Sequence, residues 1–165
     1  MELYIKKITP EDVFITTLEL DEQKWRGNGV EGASIQKNRL SGNEFIDAIA
    51  RLLSIYMMRP VGFYEKEMGL RAGVANQFIL MYSGCTFREW SNGYIMLAAK
   101  ELLIQTDYNL ETIGHRLGFS GISTFSRWFR NTEKETASNW RRIAKDRQAK
   151  ENEELIQKLR AEGKL

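Results

Sequence analysis

Cysteine and histidine are almost absent from this chain. Among 165 residues there is one of each, Cys85 and His115. A single cysteine excludes an internal disulfide, and one cysteine with one histidine cannot build a Cys/His zinc site, so metal ligation would fall to carboxylates alone. Proline is scarce, with two residues, Pro10 and Pro60, and the 13 glycines are too few and too dispersed for a collagenous or low-complexity chain. No apolar run approaches the roughly 18 residues that span a bilayer. The start, Met1-Glu2-Leu3-Tyr4-Ile5-Lys6-Lys7, lacks the apolar stretch of a secretory signal, which places the protein in the cytoplasm with no membrane partner. Net charge is also slight, 24 basic against 22 acidic side chains, and argues for no partner by itself.

What is present is a globular composition, 42% hydrophobic, at about one domain's length. The charge is unevenly placed. Residues 116 to 142 carry six basic side chains (Arg116, Arg127, Arg130, Lys134, Arg141, Arg142) against two acidic ones (Glu133, Glu135). This is the one basic region, and it becomes a phosphate-binding footprint only if it lies on a suitable element.

From Ser41 onward the apolar spacing is helical and start signals recur. Ser41 with Glu44 has the capping-box spacing, and Phe45, Ile46, Ile49, Leu52, Leu53 and Tyr56 then share a face up to Arg59-Pro60. A short helix is expected from Gly62 to Met68, stopped at Gly69, and a second from about Ala72 to Ser83-Gly84. Thr86 with Glu89 opens the longest helix, in which Phe87, Trp90, Tyr94, Leu97, Ala98 and Leu102 keep the helical period to about Gln105. Asn109 caps another short helix carrying Leu110, Ile113 and Leu117, and Gly118 stops it. Ser120 is the expected cap of a helix that pairs Phe125 with Phe129, and Thr136 of one carrying Trp140, Ile143 and Ala144. The charged tail extends that last helix and frays. The first 40 residues read as a short segment and linker, with Thr9-Pro10-Glu11-Asp12 as a helix start and Gly27, Asn28-Gly29 and Gly32 as a loop.

The domains expected are therefore 1–40, a short N-terminal segment; 41–145, the helical domain; and 146–165, a charged helical tail. Within the second, two short helices joined by a glycine turn occur twice, at 62–84 and 109–132. That unit is the helix-turn-helix, whose second helix is narrow enough to enter a major groove. A connecting helix of roughly 20 residues spans about 30 Å at 1.5 Å per residue, close to the 34 Å repeat of duplex DNA, so one chain could read two successive grooves.

These residues resemble the DNA-binding domain of AraC/XylS-type bacterial transcriptional regulators. The match is carried by Ile113-Gly114-His115-Arg116-Leu117-Gly118-Phe119-Ser120, then Phe125-Ser126-Arg127-Trp128-Phe129-Arg130 and Trp140-Arg141, and more loosely by Phe63-Tyr64, Leu70, Ser83-Gly84, Thr86, Trp90 and Ala99 to Leu103. It covers about residues 45 to 142. The resemblance implies an all-α fold of seven helices in two helix-turn-helix subdomains around a long central helix, and a regulator of transcription with double-stranded promoter DNA as partner, RNA polymerase as a further one, and no cofactor. It implies recognition helices at about 72–82 and 121–131. In the second, Ile122, Ser123, Ser126 and Arg127 would meet base edges: arginine suits guanine, serine a base or phosphate, isoleucine a thymine methyl. In the first, Asn76 and Gln77 could pair with adenine. Arg130, Lys134, Arg141 and Arg142 are the phosphate candidates.

The chain departs from the pattern at several places. Lys134 stands where the family usually has glycine and Ala137 where it has proline. The first recognition helix has no basic residue, with Gln77 at a position that often holds arginine and Leu80 at one that often holds lysine. About 40 residues stand in place of a much longer sensing domain, so no small-molecule effector is evident. An alternative stays open: a protein-interaction module on the same fold, acting through Phe78-Ile79-Leu80-Met81 on another regulator, polymerase or a recombination complex. No nucleophile-base pair, carboxylate constellation or phosphate-cradling loop marks an enzyme. Phe125, Phe129, Trp90, Tyr94 and Trp140 are expected in the core, His115 in solvent, and Cys85 as a spectator.

Overall fold

The structure, a computed structural model, describes residues 6–18 and 41–165. Among them are eight α-helices and no strand: α1 Pro10–Val13, α2 Glu44–Tyr56, α3 Val61–Glu67, α4 Val74–Ser83, α5 Phe87–Gln105, α6 Leu110–Arg116, α7 Ile122–Glu133 and α8 Ala137–Ala161. Helices α2 to α8 are the expected seven, and α1 belongs to the short N-terminal segment. The loop expected at Gly27, Asn28-Gly29 and Gly32 lies outside the described residues.

Three of the caps read from sequence are made. Thr86 and Glu89 exchange the two hydrogen bonds of a capping box, at 3.1 and 3.2 Å. Asn109 Oδ1 accepts from Thr112 N at 2.8 Å, and Thr136 Oγ1 from Asn139 N at 3.3 Å. Two caps differ. The N-cap of α2 is Asn43, whose Oδ1 accepts from Ile46 N at 3.0 Å, while Ser41 donates its N–H and hydroxyl to the buried Asp47 carboxylate at 2.8 and 2.7 Å. The Ser41/Glu44 spacing alone does not fix the cap, and Asn43 sits two residues nearer the first turn. The N-cap of α7 is Gly121 rather than Ser120, and Thr124 Oγ1 folds back to accept from Gly121 N at 3.3 Å. Last, α4 begins two residues later than expected, after Gly73 in the left-handed region.

A continuous core surrounds α5. Trp90, Tyr94, Leu102 and Leu103 are essentially inaccessible to water, as are Ile46, Ile49, Leu53, Tyr64 and Ile79 on one side and Ile113, Leu117, Phe125 and Phe129 on the other. Each fully buried aliphatic or aromatic side chain of this kind contributes about 1.5–3 kcal/mol. The 19 residues of α5 give it a length of about 28 Å, so it is the strut between two lobes.

The N-terminal segment is stitched along that strut. Ile8 N donates to Tyr82 O at 2.9 Å, and Trp90 Nε1 to Ile8 O at 3.1 Å. Ile15 N donates to the Tyr94 hydroxyl at 3.1 Å, and Glu101 Oε1 accepts from Thr17 N and from both the Thr16 and Thr17 hydroxyls. Val13 is buried in the core. The run Val13-Phe14-Ile15-Thr16-Thr17 spans a change of backbone conformation. One helical turn gives way to extended backbone that takes its hydrogen bonds from α5 side chains instead of a strand partner.

Candidate nucleic-acid interface

Each lobe is a pair of short helices locked at a fixed angle. In the first, the buried Glu65 of α3 accepts from Ala75 N, at the start of α4, at 3.3 Å, and Leu70 N closes the turn onto Glu65 O at 2.8 Å. In the second, α6 and α7 touch where Gly114 faces Phe125: a Cβ on Gly114 would lie 3.0 Å from the Phe125 Cβ, so only glycine admits this approach. Gly118 turns the chain at φ +85°, and a Cβ there would meet the Met58 backbone at 3.0 Å. Met58 N donates to Leu117 O at 3.0 Å, which ties the α2–α3 turn of the first lobe to the second.

Helix α7 is amphipathic in the sense the expected reader helix requires. Phe125 and Phe129 are buried and continue through Phe119, Trp128 and Trp140 as an aromatic cluster with ring centroids 5.0 to 6.5 Å apart. On the outward side Ile122 is 45% exposed, Ser123, Arg127 and Arg130 are exposed, and Ser126 is half-buried. Ser126, Arg127 and Arg130 line a groove of about 600 Å³ whose far wall is Thr136, Ala137 and Ser138, the first turn of the 25-residue α8. Two guanidiniums and the positive end of a long helix thus face one space, an arrangement that attracts anions.

The structure separates the remaining arginine candidates. Arg141 points inward: its Nε donates to Leu103 O at 2.9 Å and its Nη2 to Thr106 O at 3.2 Å, so its guanidinium caps the carbonyl end of α5. Lys145, which the sequence did not single out, joins it, donating to Thr106 O at 3.0 Å and pairing with Asp107 at 2.7 Å. The lysine holds the exposed Asp107 carboxyl below the usual carboxylate range. A basic residue near a helix start is equally suited to a phosphate and to a neighbouring helix's carbonyls, and only the fold brings Thr106 within reach of Arg141. Arg142 is exposed, with Asn139 Oδ1 at 2.7 Å and Asp146 at 3.9 Å. Lys134 is exposed, takes φ +62° at the end of α7, and donates to Asn131 O at 2.8 Å.

In α4, Ala75 and Ile79 face the core, Gln77 is exposed, and Leu80 and Met81 are 43% and 58% exposed. Asn76 is half-buried and its Oδ1 accepts from Phe87 N at 2.8 Å, satisfying the start of α5. The paired donor and acceptor that adenine needs are therefore not both at hand in Asn76, whereas Gln77 keeps them. Phe78 stacks between Phe45 and Tyr82, at 4.7 and 6.3 Å. His115 is exposed, and Cys85 lies half-buried with Ser83 Oγ 3.1 Å from its sulfur. Among the described residues no three His, Cys, Asp or Glu side chains gather to hold a metal, and no helix is long and apolar enough to cross a membrane.

Comparison with known proteins agrees with this geometry. The family profile described as a helix-turn-helix domain matches residues 65–143. The regulatory protein PocR of Salmonella typhimurium is 38% identical over 60 residues, which are 36% of this chain and 20% of PocR, so the match spans about a fifth of that relative. Among solved structures, the DNA-binding domain of the global transcriptional factor AdpA, crystallised with a target DNA, superposes with a TM-score of 0.56 at 17% identity, over 64% of this chain and 96% of that domain. The C-terminal domain of AraT, a response regulator from Geobacillus stearothermophilus, does so with a TM-score of 0.56 at 17% identity, over 63% and 88%. At this level of identity the likeness to the two solved structures is one of fold. Over residues 65–143 the chain is therefore similar to a helix-turn-helix domain, and it shares the all-helical fold of both solved structures.

Proposed function

We propose that this chain is a sequence-specific double-stranded DNA-binding regulator of transcription, acting at promoter sites. The observation that carries the reading is the outward row of α7, Ile122, Ser123, Ser126, Arg127 and Arg130, beside the first turn of α8. Arg127 and Ser123 read bases, Ile122 meets a thymine methyl, and Arg130 with the N-terminal turn of α8 holds a phosphate. Arg142 and Lys134 lie outside that groove and add sequence-independent attraction. Arg141 contributes through the position of α8, since its Nε and Nη2 donate to carbonyls at the end of α5. In the first lobe Gln77 is the reader, weaker for want of any basic neighbour on α4. RNA polymerase is a fitting second partner, and the cytoplasm the fitting compartment.

The test is selection of sites from a randomised duplex pool by the purified protein, repeated with Arg127→Ala and across a salt series. The expected result is an enriched motif with two boxes one helical turn apart, the second box relaxed by Arg127→Ala, and affinity weakened at least about tenfold with melting unchanged. Failure to enrich any motif overturns the reading.

One observation favours a second reading. Leu80 and Met81 give α4 an exposed apolar side without a cation, which suits contact with a protein better than with phosphates. Under that reading the first lobe binds another regulator, polymerase or a recombination complex. Selection of a single half-site, set by residues 109 to 132 alone, would favour it.

A further inference from the structure

Between the two lobes lies a cleft of about 570 Å³ that none of the base-reading roles uses apart from its rim at Asn76. Its apolar lining comes from Met58, Pro60 and Val61 about the α2–α3 turn, the buried Phe87 of α5, Phe119 of the α6–α7 turn and Trp128 of α7. Arg59, from the α2–α3 turn, and Arg88, from the first turn of α5, stand at its edge, and no acidic residue lines it. Both arginines are exposed, and neither has a carboxylate partner among the described residues. Arg59 instead stands 5.7 Å from the Phe63 ring centroid. Asn92 accepts from Trp128 Nε1 at 3.4 Å and fixes that indole as one wall.

We infer that this inter-lobe cleft binds an amphipathic organic anion, with a flat aromatic body against Phe87, Phe119 and Trp128 and an acidic group between Arg59 and Arg88. The volume is that of ordinary small-molecule sites, which are mostly apolar with a few convergent polar groups. Guanidiniums without carboxylate partners select an anionic end, and a planar fork grips a carboxylate or sulfonate by paired hydrogen bonds. The cleft is set apart from the proposed reading row. Trp128 is two residues from both Ser126 and Arg130, hence about 200° around α7 from each, on the flank turned away from them. A ligand here would touch the α2–α3 turn, α5 and α7 together, so it would brace one lobe against the other.

The experiment is calorimetric titration of the full chain with 2-naphthoate and with its neutral counterpart 2-naphthylmethanol, with and without a duplex that the protein binds. The expected result is one saturating site for naphthoate, at least about tenfold weaker binding of the alcohol, and a loss of at least about fivefold in each of Arg59→Gln and Arg88→Gln. These two are surface substitutions, and unchanged melting of the variants shows that they fold. The duplex should leave naphthoate affinity within about twofold. Absence of saturable binding at about 10 mM naphthoate, equal affinity for acid and alcohol, or indifference to both substitutions overturns the proposal. Stoichiometric displacement by the duplex also overturns it, assigning the arginines to DNA.

Discussion

Arg141 Nε donates to the carbonyl oxygen of Leu103, 2.9 Å away and 38 residues back along the chain. Leu103 lies in the last turn of α5, where carbonyls have no partner within their own helix. The guanidinium supplies one and reaches Thr106 O as well, so the last helix is joined to the strut by the groups the strut leaves unpaired. Arg141→Ala should therefore cost about 1–3 kcal/mol in urea unfolding. Where the variant is fully folded, its DNA affinity should stay within about threefold of the parent. Normal unfolding combined with a large loss of affinity would return Arg141 to the phosphate contacts.

Gly114 and Phe125 set the angle between α6 and α7. Gly114→Ala places a methyl 3.0 Å from the Phe125 Cβ, and neither atom belongs to a flexible end. Overpacking of this kind costs about 1–3 kcal/mol. The expected outcome is a lower denaturation midpoint together with weaker DNA binding, because α7 is pushed out of register with α8. An unchanged midpoint would mean that the helices separate freely.

Lys134 ends α7 at φ +62°, in the region that glycine occupies without cost. Its bond to Asn131 O at 2.8 Å is exposed and offsets little of that strain. Lys134→Gly is expected to raise stability by about 0.5–1 kcal/mol in thermal or urea unfolding. A loss of stability would show that the lysine side chain matters more than the backbone conformation it is made to adopt.

Burial pushes the Tyr94 hydroxyl up from 10.0 to about 12, against the smaller opposing effect of the Ile15 N–H that it accepts, with the Glu101 charge adding to the rise. Burial also raises Tyr64, whose hydroxyl donates to Met57 O. A raised phenol keeps its proton in the folded protein after the unfolded chain has lost it. Stability is thus fully present below pH 10 and declines as pH rises toward 12, by about 1.4 kcal/mol per pH unit for Tyr94 alone. Unfolding measured from pH 9 to 12 should show this slope, and a flat profile would mean that Tyr94 is open to water in the native state. In Tyr94→Phe the slope should become shallower.

Much of this architecture is legible in the chain. Helix periodicity, the Thr86/Glu89, Asn109 and Thr136 caps and the glycines at 69, 84 and 118 are local, so they act through residues three or four apart and are visible as spacing. The same locality makes α7 readable: with Phe125 and Phe129 turned inward, Ser123, Arg127 and Arg130 are left on the outside, while Ile122 and Ser126 flank the buried stripe. Ser41 was the less legible case, because its partner is the Asp47 side chain, two turns of choice away from any capping rule.

What the sequence by itself determined is the inventory: which stretches are helical, that the two-helix unit occurs twice, and that Phe125 and Phe129 turn inward on α7. Periodicity and capping are short-range, and a 19-residue connector has a length whatever surrounds it. Only the tertiary structure decided how the polar groups are spent. It gave Arg141 to the carbonyls of α5, the Asn76 oxygen to Phe87 N, and the Glu101 carboxylate to Thr16 and Thr17. Each of these contacts joins residues 11 to 85 positions apart. An arginine, asparagine or glutamate is equally able to meet DNA, solvent or an orphaned backbone group, and the choice among them is made by which helix end the fold brings alongside.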